Sequence, residues 1–218
     1  MENSKNLNGI KNQLHVISTG QQSIQKLVDI AGSIHSYIDV LHIREKSWTA
    51  KEIVMTIEAL GSAGFPLEKI MVNDRVDIAY LMKTGGVQLT HHSIEGSLVK
   101  QVFPTLKMGS SIHSMEEAKH AFQQGADFLL YGNIFPTLSK EGKPGVGIQK
   151  LKDIVQTVPI PIVAIGGITQ QNTIEVLSSG CNGIAVLSGI LQSDNPLDSA
   201  KLYREKLDQV VSRVETIL

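Results

Sequence analysis

The chain has 218 residues, 42% of them hydrophobic and 19% charged, which is enough apolar material for one sizeable core and too much for a disordered or fibrous protein. Twenty Lys and Arg against 21 Asp and Glu leave a formal net charge of -1, so no overall positive field exists to hold a polyanion, and no nucleic-acid partner is expected. A single cysteine, Cys181, excludes an internal disulfide or a thiolate metal cluster, and the longest apolar stretch, Val158 to Ile168, is interrupted by prolines and glycines and falls short of the ~20 residues that span a bilayer.

The polar start is no signal peptide, so the expected setting is the cytoplasm, with no membrane partner. Residues 1–12 read as a polar N-terminal extension. Beyond it, short β-branched runs alternate with helical stretches to the end of the chain. The candidate strands are Leu14 to Ser18, Ile38 to Ile43, Lys69 to Asn73, Gly86 to Thr90, Leu106 to Ile112, Phe128 to Ile134, Pro161 to Gly166 and Gly183 to Ser188. Between them, Ala50 to Leu60 carries Ile53, Ile57 and Leu60 at helical spacing. Thr49, Asp74, Ser114 and Thr169 stand where helices should start and can accept bonds from first-turn amides; Ser114 with Glu117 matches a capping box. Eight strand–helix repeats without large insertions predict an α/β fold, a single (β/α)8 TIM barrel, and no linker divides residues 1–218 into further domains. The longest aperiodic region, Phe135 to Gly147, is long enough for a functional loop.

In such a barrel the reacting groups sit at the carboxyl ends of the strands. After the second strand, the period of two puts His42, Arg44 and Lys46 on one side, pointing inward. Two cations there can grip an anion; alternatively Arg44 pairs with Glu45 or Asp74. Asn73 and Asp74 follow the third strand. The doublet His91 and His92 follows the fourth, without the Cys or paired acids of a metal site, so no metal is expected there. After the fifth, Ser111 and His113 share a face, and His113 is either structural or, in a pocket, a proton carrier. Gly166 and Gly167 close the seventh strand, and Ser188 and Gly189 the eighth. Small residues at these turns let backbone amides approach a phosphate, with tight packing the competing reason for them. In the last helix, Lys201, Arg204 and Lys206 alternate with Glu205 and Asp208 and read as a solvated face.

The segments LHVIST, DVLHIREK, NDRVDIA, GVQL, GSSIHSMEEA, GADFLLYGNIFPTLSK, PIPIVAIGGIT and GIAVLSGI follow one another from Leu14 to Ile190. In that order they resemble the thiamine phosphate synthase superfamily and, within it, the TenI-like thiazole tautomerases. For the synthases the resemblance implies that Arg44, Lys46 and Lys140 hold a pyrimidine pyrophosphate, with Asn73 and Ser111 beside it. Thr137, Ser139, Gly166, Gly167, Leu187, Ser188 and Gly189 would hold a thiazole phosphate. It also implies a Mg²⁺ ion on two aspartates. Asp74 matches the first, but Ser93 stands at the second, with Glu95 nearby, and a hydroxyl in place of a carboxylate weakens a magnesium site.

His42 in place of the synthases' glutamine, the spelling HIRE, and SGI at the eighth strand resemble the tautomerase branch. The expectation on these residues is a thiazole tautomerase that aromatises a carboxythiazole phosphate by proton transfer without metal or cofactor. The tautomerases' usual proton-carrying histidine is replaced by Asn133, which cannot exchange protons at neutral pH, so His113, or next His42, is expected to carry the proton while Asn133 orients the substrate. Two alternatives stay open: a Mg²⁺-dependent thiamine phosphate synthase, and a catalytically silent regulatory protein that kept the ligand site. The resemblance further implies a homodimer.

Overall fold

The computed structural model describes residues 12–137 and 144–215. Eight parallel strands close into a barrel in sequence order: β1 (Gln13–Ile17), β2 (Val40–Ile43), β3 (Ile70–Asn73), β4 (Gly86–Leu89), β5 (Met108–Ile112), β6 (Phe128–Gly132), β7 (Ile162–Ile165) and β8 (Gly183–Val186). Closure runs through β1 and β8, where Gln13 to Val16 pair with Gly183 to Val186. The strands fall close to where the sequence puts them, and β1, β4, β6, β7 and β8 stop earlier than expected. Thr90, Ile134, Gly166 and Ser188 fall outside the strands, although the Ile134 amide still donates to the Ile165 carbonyl at 2.9 Å.

The helices α1 (Ile24–Ile34), α2 (Ala50–Ser62), α3 (Val76–Leu81), α4 (Gly96–Val102), α5 (Met115–Gln123), α6 (Gly147–Thr157), α7 (Thr173–Leu177), α8 (Ser188–Leu191) and α9 (Pro196–Glu215) accompany the sheet. In α1, Leu27, Val28, Ile30, Ala31 and Ile34 recur at helical spacing and are buried, and Ser23 accepts a bond from the Lys26 amide to cap the first turn. Thr49 and Glu52 form a full capping box on α2. Ser114 caps α5 by accepting from the Glu117 amide, but the Glu117 carboxylate turns to the His113 N–H, so the reciprocal half of the box is missing. Asp74 caps nothing: it sits in the left-handed region at φ 60 and α3 starts beyond it.

The core has two parts. The larger lies between the sheet and the helices. The smaller fills the barrel with Ile17, Met71, Phe128, Leu130, Val163 and Ala185. Glycine is required at position 109, since a Cβ there would stand 2.3 Å from Gln88 Oε1 and 2.4 Å from Phe128 Cζ. At the amino-terminal end of the barrel, Arg204 from α9 donates to Asp39 at 2.8 Å and to the Asn12 carbonyl at 2.5 Å. Its side chain is only 11% exposed, so the expected solvated face does not include Arg204, which fastens α9 to β1 and β2. Among the described residues no helix is long and apolar enough to cross a membrane.

Candidate active site

The carboxyl ends of β2, β3, β4, β7 and β8 bring most of the expected residues to one rim. At β2, the Arg44 amide donates to Ser18 Oγ at 2.8 Å, which ties the strand end to β1. Glu45 does not pair with Arg44. It is buried and accepts from the Gly20 amide at 3.2 Å, leaving its other oxygen without a described partner. Among the described residues neither Arg44 nor Lys46 has a carboxylate within ion-pair distance. Asp74 is no exception: it stands exposed, and the neighbouring Arg75 forks onto Asp77 instead. Two cations therefore stand at the rim without a carboxylate partner among the described residues.

Inside the barrel, below Arg44, His42 meets a partner that the sequence does not announce. Its Nε2 lies 2.9 Å from His15 Nδ1, His15 Nε2 lies 3.0 Å from Gln13 Oε1, and Phe128 packs edge-on against both rings. Burial, with help from Lys107, pushes the His42 pKa down to about 3, and burial beside His42 pushes His15 well below its ordinary value. Both imidazoles stay neutral at working pH. His42 is 1% exposed and its Nδ1 is sealed from solvent, so it is a core residue rather than the proton carrier expected of it.

His113 also departs from expectation. Its backbone follows Ser111 on the strand, but the imidazole is half exposed, 3.4 Å from Glu117, and lines a groove of about 250 Å³ between α5 and α6 with Tyr131, Lys150 and Asp153. The ring lies outside the barrel because β5 ends at Ile112 and the strand alternation ends with it. Ser111 does face inward and accepts from Gln88 Nε2 at 3.0 Å. Asn133 is buried, and its amide nitrogen donates to the Phe135 carbonyl at 3.2 Å, which shapes the loop after β6.

The glycine turns at β7 and β8 are fitted to their neighbours. Gly166 and Gly167 have φ +97 and +66, and a Cβ on either would meet Asn133 or Phe135 and Pro136 at 2.4–2.7 Å. Close packing of the β6 loop thus explains both residues, while leaving their turn at the rim. Leu187 precedes α8, and Ser188 and Gly189 at its start are exposed. Thr137 is half-buried at the edge of the described loop; Ser139 and Lys140 lie outside the described residues.

A magnesium ion on two carboxylates does not fit the residues present. Ser93 Oγ accepts from the Thr90 amide at 2.8 Å and closes the turn after β4, while Glu95 faces His120 at 3.7 Å. Among the described residues no group of three His, Cys, Asp or Glu side chains could hold a metal ion.

Eight parallel strands closed in sequence order, with helices covering them, define a (β/α)8 TIM-barrel protein. More narrowly, the chain matches the thiamine monophosphate synthase family over residues 14–190 and belongs to it. It is 35% identical over 187 residues to the thiamine-phosphate synthase of Pyrococcus horikoshii, covering 86% of this chain and 87% of that one. It is 39% identical over 140 residues to that of Pyrococcus furiosus, covering 64% and 68%. Among solved structures, a thiamine phosphate pyrophosphorylase from Pyrococcus furiosus superposes with a TM-score of 0.79 at 29% identity over 92% of this chain and 98% of that one. A 3-hexulose-6-phosphate synthase, with TM-score 0.72 and 15% identity over 89% and 99%, shares the fold alone.

These names overturn the tautomerase expectation. Relatives alignable over most of the chain are named synthases, while the assignment to the TenI branch as an isomerase rested on a few spellings around His42 and the eighth strand. The structure removes their force, since His42 is spent on the core.

Proposed function

We propose that this protein is a thiamine-phosphate synthase, a transferase in which a thiazole phosphate displaces pyrophosphate from a pyrimidine pyrophosphate. The observation that carries the reading is the pair Arg44 and Lys46, two cations at the rim with no carboxylate partner among the described residues. The names of the relatives support it independently. In this reading Arg44 and Lys46, with Lys140, grip the pyrophosphate and stabilise the charge that develops as it leaves. Ser111, fixed by Gln88, and Asn73 border the pyrimidine. The turns at Gly166–Gly167 and Ser188–Gly189, with Thr137, Ser139 and Leu187, seat the thiazole phosphate through backbone amides. Positioning two anionic substrates against each other supplies much of the rate, and no covalent intermediate on the protein is needed.

The test is direct. Purified protein is given both substrates, with and without Mg²⁺, and thiamine phosphate and released pyrophosphate are quantified. Equal yields of the two products support the proposal; turnover of neither, with the protein folded, ends it.

The whole chain is read as one catalytic domain, and its lone, buried Cys181 suits a reducing cytoplasm. A homodimer is supported by apolar residues exposed on adjoining helices: Tyr80 and Leu81 on α3, and Leu98 and Val102 on α4, with the Tyr80 ring tilted against Phe103 at 4.6 Å. Sedimentation of wild type beside Leu81→Asp checks it, since a dimer through this face becomes a monomer in the variant.

A further inference from the structure

Tyr203 lies in α9, past the residues that match the family, and its ring is 2% exposed. Its hydroxyl donates to the Ile168 carbonyl at 3.1 Å, immediately after the Gly166–Gly167 turn. The same oxygen abuts the start of α8: a Cβ on Gly189 would stand 2.7 Å from it. One hydroxyl on an outer helix therefore touches both glycine turns from behind, while Ser188 and Gly189 stay exposed in front. The far end of α8 is held separately, by Gln22 Nε2 donating to the Leu191 carbonyl at 3.1 Å. Burial pushes the phenol up to about 12, so it remains a donor at any working pH.

Filling the space under α8 needs only a ring, and phenylalanine would do that. The hydroxyl adds something a ring cannot, a fixed distance between two turns that come from different strands. A site built from backbone amides depends on such distances, because its donors cannot swing to meet a misplaced ligand as a lysine can.

We propose that Tyr203 is a positioning residue for the thiazole-phosphate subsite, setting the spacing of the Gly166–Gly167 turn against the Ser188–Gly189 turn. The inference rests on the synthase reading for the identity of the ligand. Its test compares wild type with Tyr203→Phe, which keeps the ring, and Gly189→Ala, which pushes on the same contact from the other side. The KM of each substrate, kcat, and the rise in thermal midpoint given by inorganic phosphate are measured. Both variants are expected to raise KM for the thiazole phosphate about three- to tenfold, the loss that follows from one misplaced hydrogen bond. KM for the pyrimidine pyrophosphate and kcat should stay unchanged, and stabilisation by phosphate should shrink.

A merely structural hydroxyl would lower the thermal midpoint and leave all kinetic constants alone, or shift both KM values together; either result overturns the proposal. Should wild type form no thiamine phosphate, the synthase reading fails, yet the phosphate comparison still judges Tyr203. Equal stabilisation of wild type and both variants by phosphate, or none in wild type, would overturn the positioning role.

Discussion

The buried pair His15 and His42 should make the barrel acid-labile by an amount that can be worked out in advance. Both imidazoles are neutral in the folded state, with His42 held at about 3 and His15 well below its ordinary 6.5. Unfolding returns each to that ordinary value. A folded pKa below the unfolded one means that the unfolded chain binds more protons at acid pH, so stability is complete above about pH 6.5 and is lost as pH falls toward the folded values. Below 6.5 His42 removes about 1.4 kcal/mol per pH unit, which amounts to ~2 kcal/mol between pH 7.5 and pH 5, and His15 adds a loss in the same direction. That is a large share of the 5–15 kcal/mol typical of a folded domain. The assay is urea unfolding at several pH values across this window for wild type and His42→Gln. The variant removes one of the two titrations, so its loss of stability between pH 7.5 and pH 5 should be smaller by ~2 kcal/mol. Parallel curves for the two proteins would show that the acid sensitivity arises elsewhere and refute the reasoning.

Other perturbations follow from the rim and its supports. Arg44→Gln should raise KM for the pyrimidine pyrophosphate about tenfold or more, with a much smaller effect on the thiazole phosphate, as initial rates with each substrate varied would reveal. Gly166→Ala forces a side chain into a left-handed backbone 2.4 Å from Asn133 Cβ and should cost on the order of 1–3 kcal/mol in chemical denaturation. Thr49→Ala, which removes the α2 capping box, should cost about 1 kcal/mol in the same measurement and leave kinetics untouched.

Much of this architecture is legible in the primary structure because barrel strands are buried on both faces and read as short β-branched runs, each followed by a small or polar residue where the backbone turns. The same rule explains the error at His113. Alternation predicts a side chain's direction only while the ladder lasts, and β5 stops one residue before it. Arg44 and Lys46 were legible as cations, but their lack of a carboxylate partner among the described residues depended on Glu45 turning toward Gly20, a tertiary contact. His15 and Tyr203 carry no local signal at all. One is paired through the register of β1 against β2, and the other reaches the site from a helix far along the chain. The choice between branches went astray for a related reason. A histidine at position 42 suggests proton chemistry only if it meets solvent or substrate, and here it meets His15.

The seam between β1 and β8 also bears on how the molecule is made. On the ribosome, Gln13 to Val16 emerge early, yet one of their two hydrogen-bonding edges has no partner until Gly183 to Val186 follow. Through most of translation the growing sheet therefore carries an open flank of apolar strand, the kind of surface to which chaperones bind and on which nascent chains aggregate. Arg204, which clamps α9 onto Asn12 and Asp39, emerges later still, so the tie between α9 and the starts of β1 and β2 forms only after the last strand has arrived.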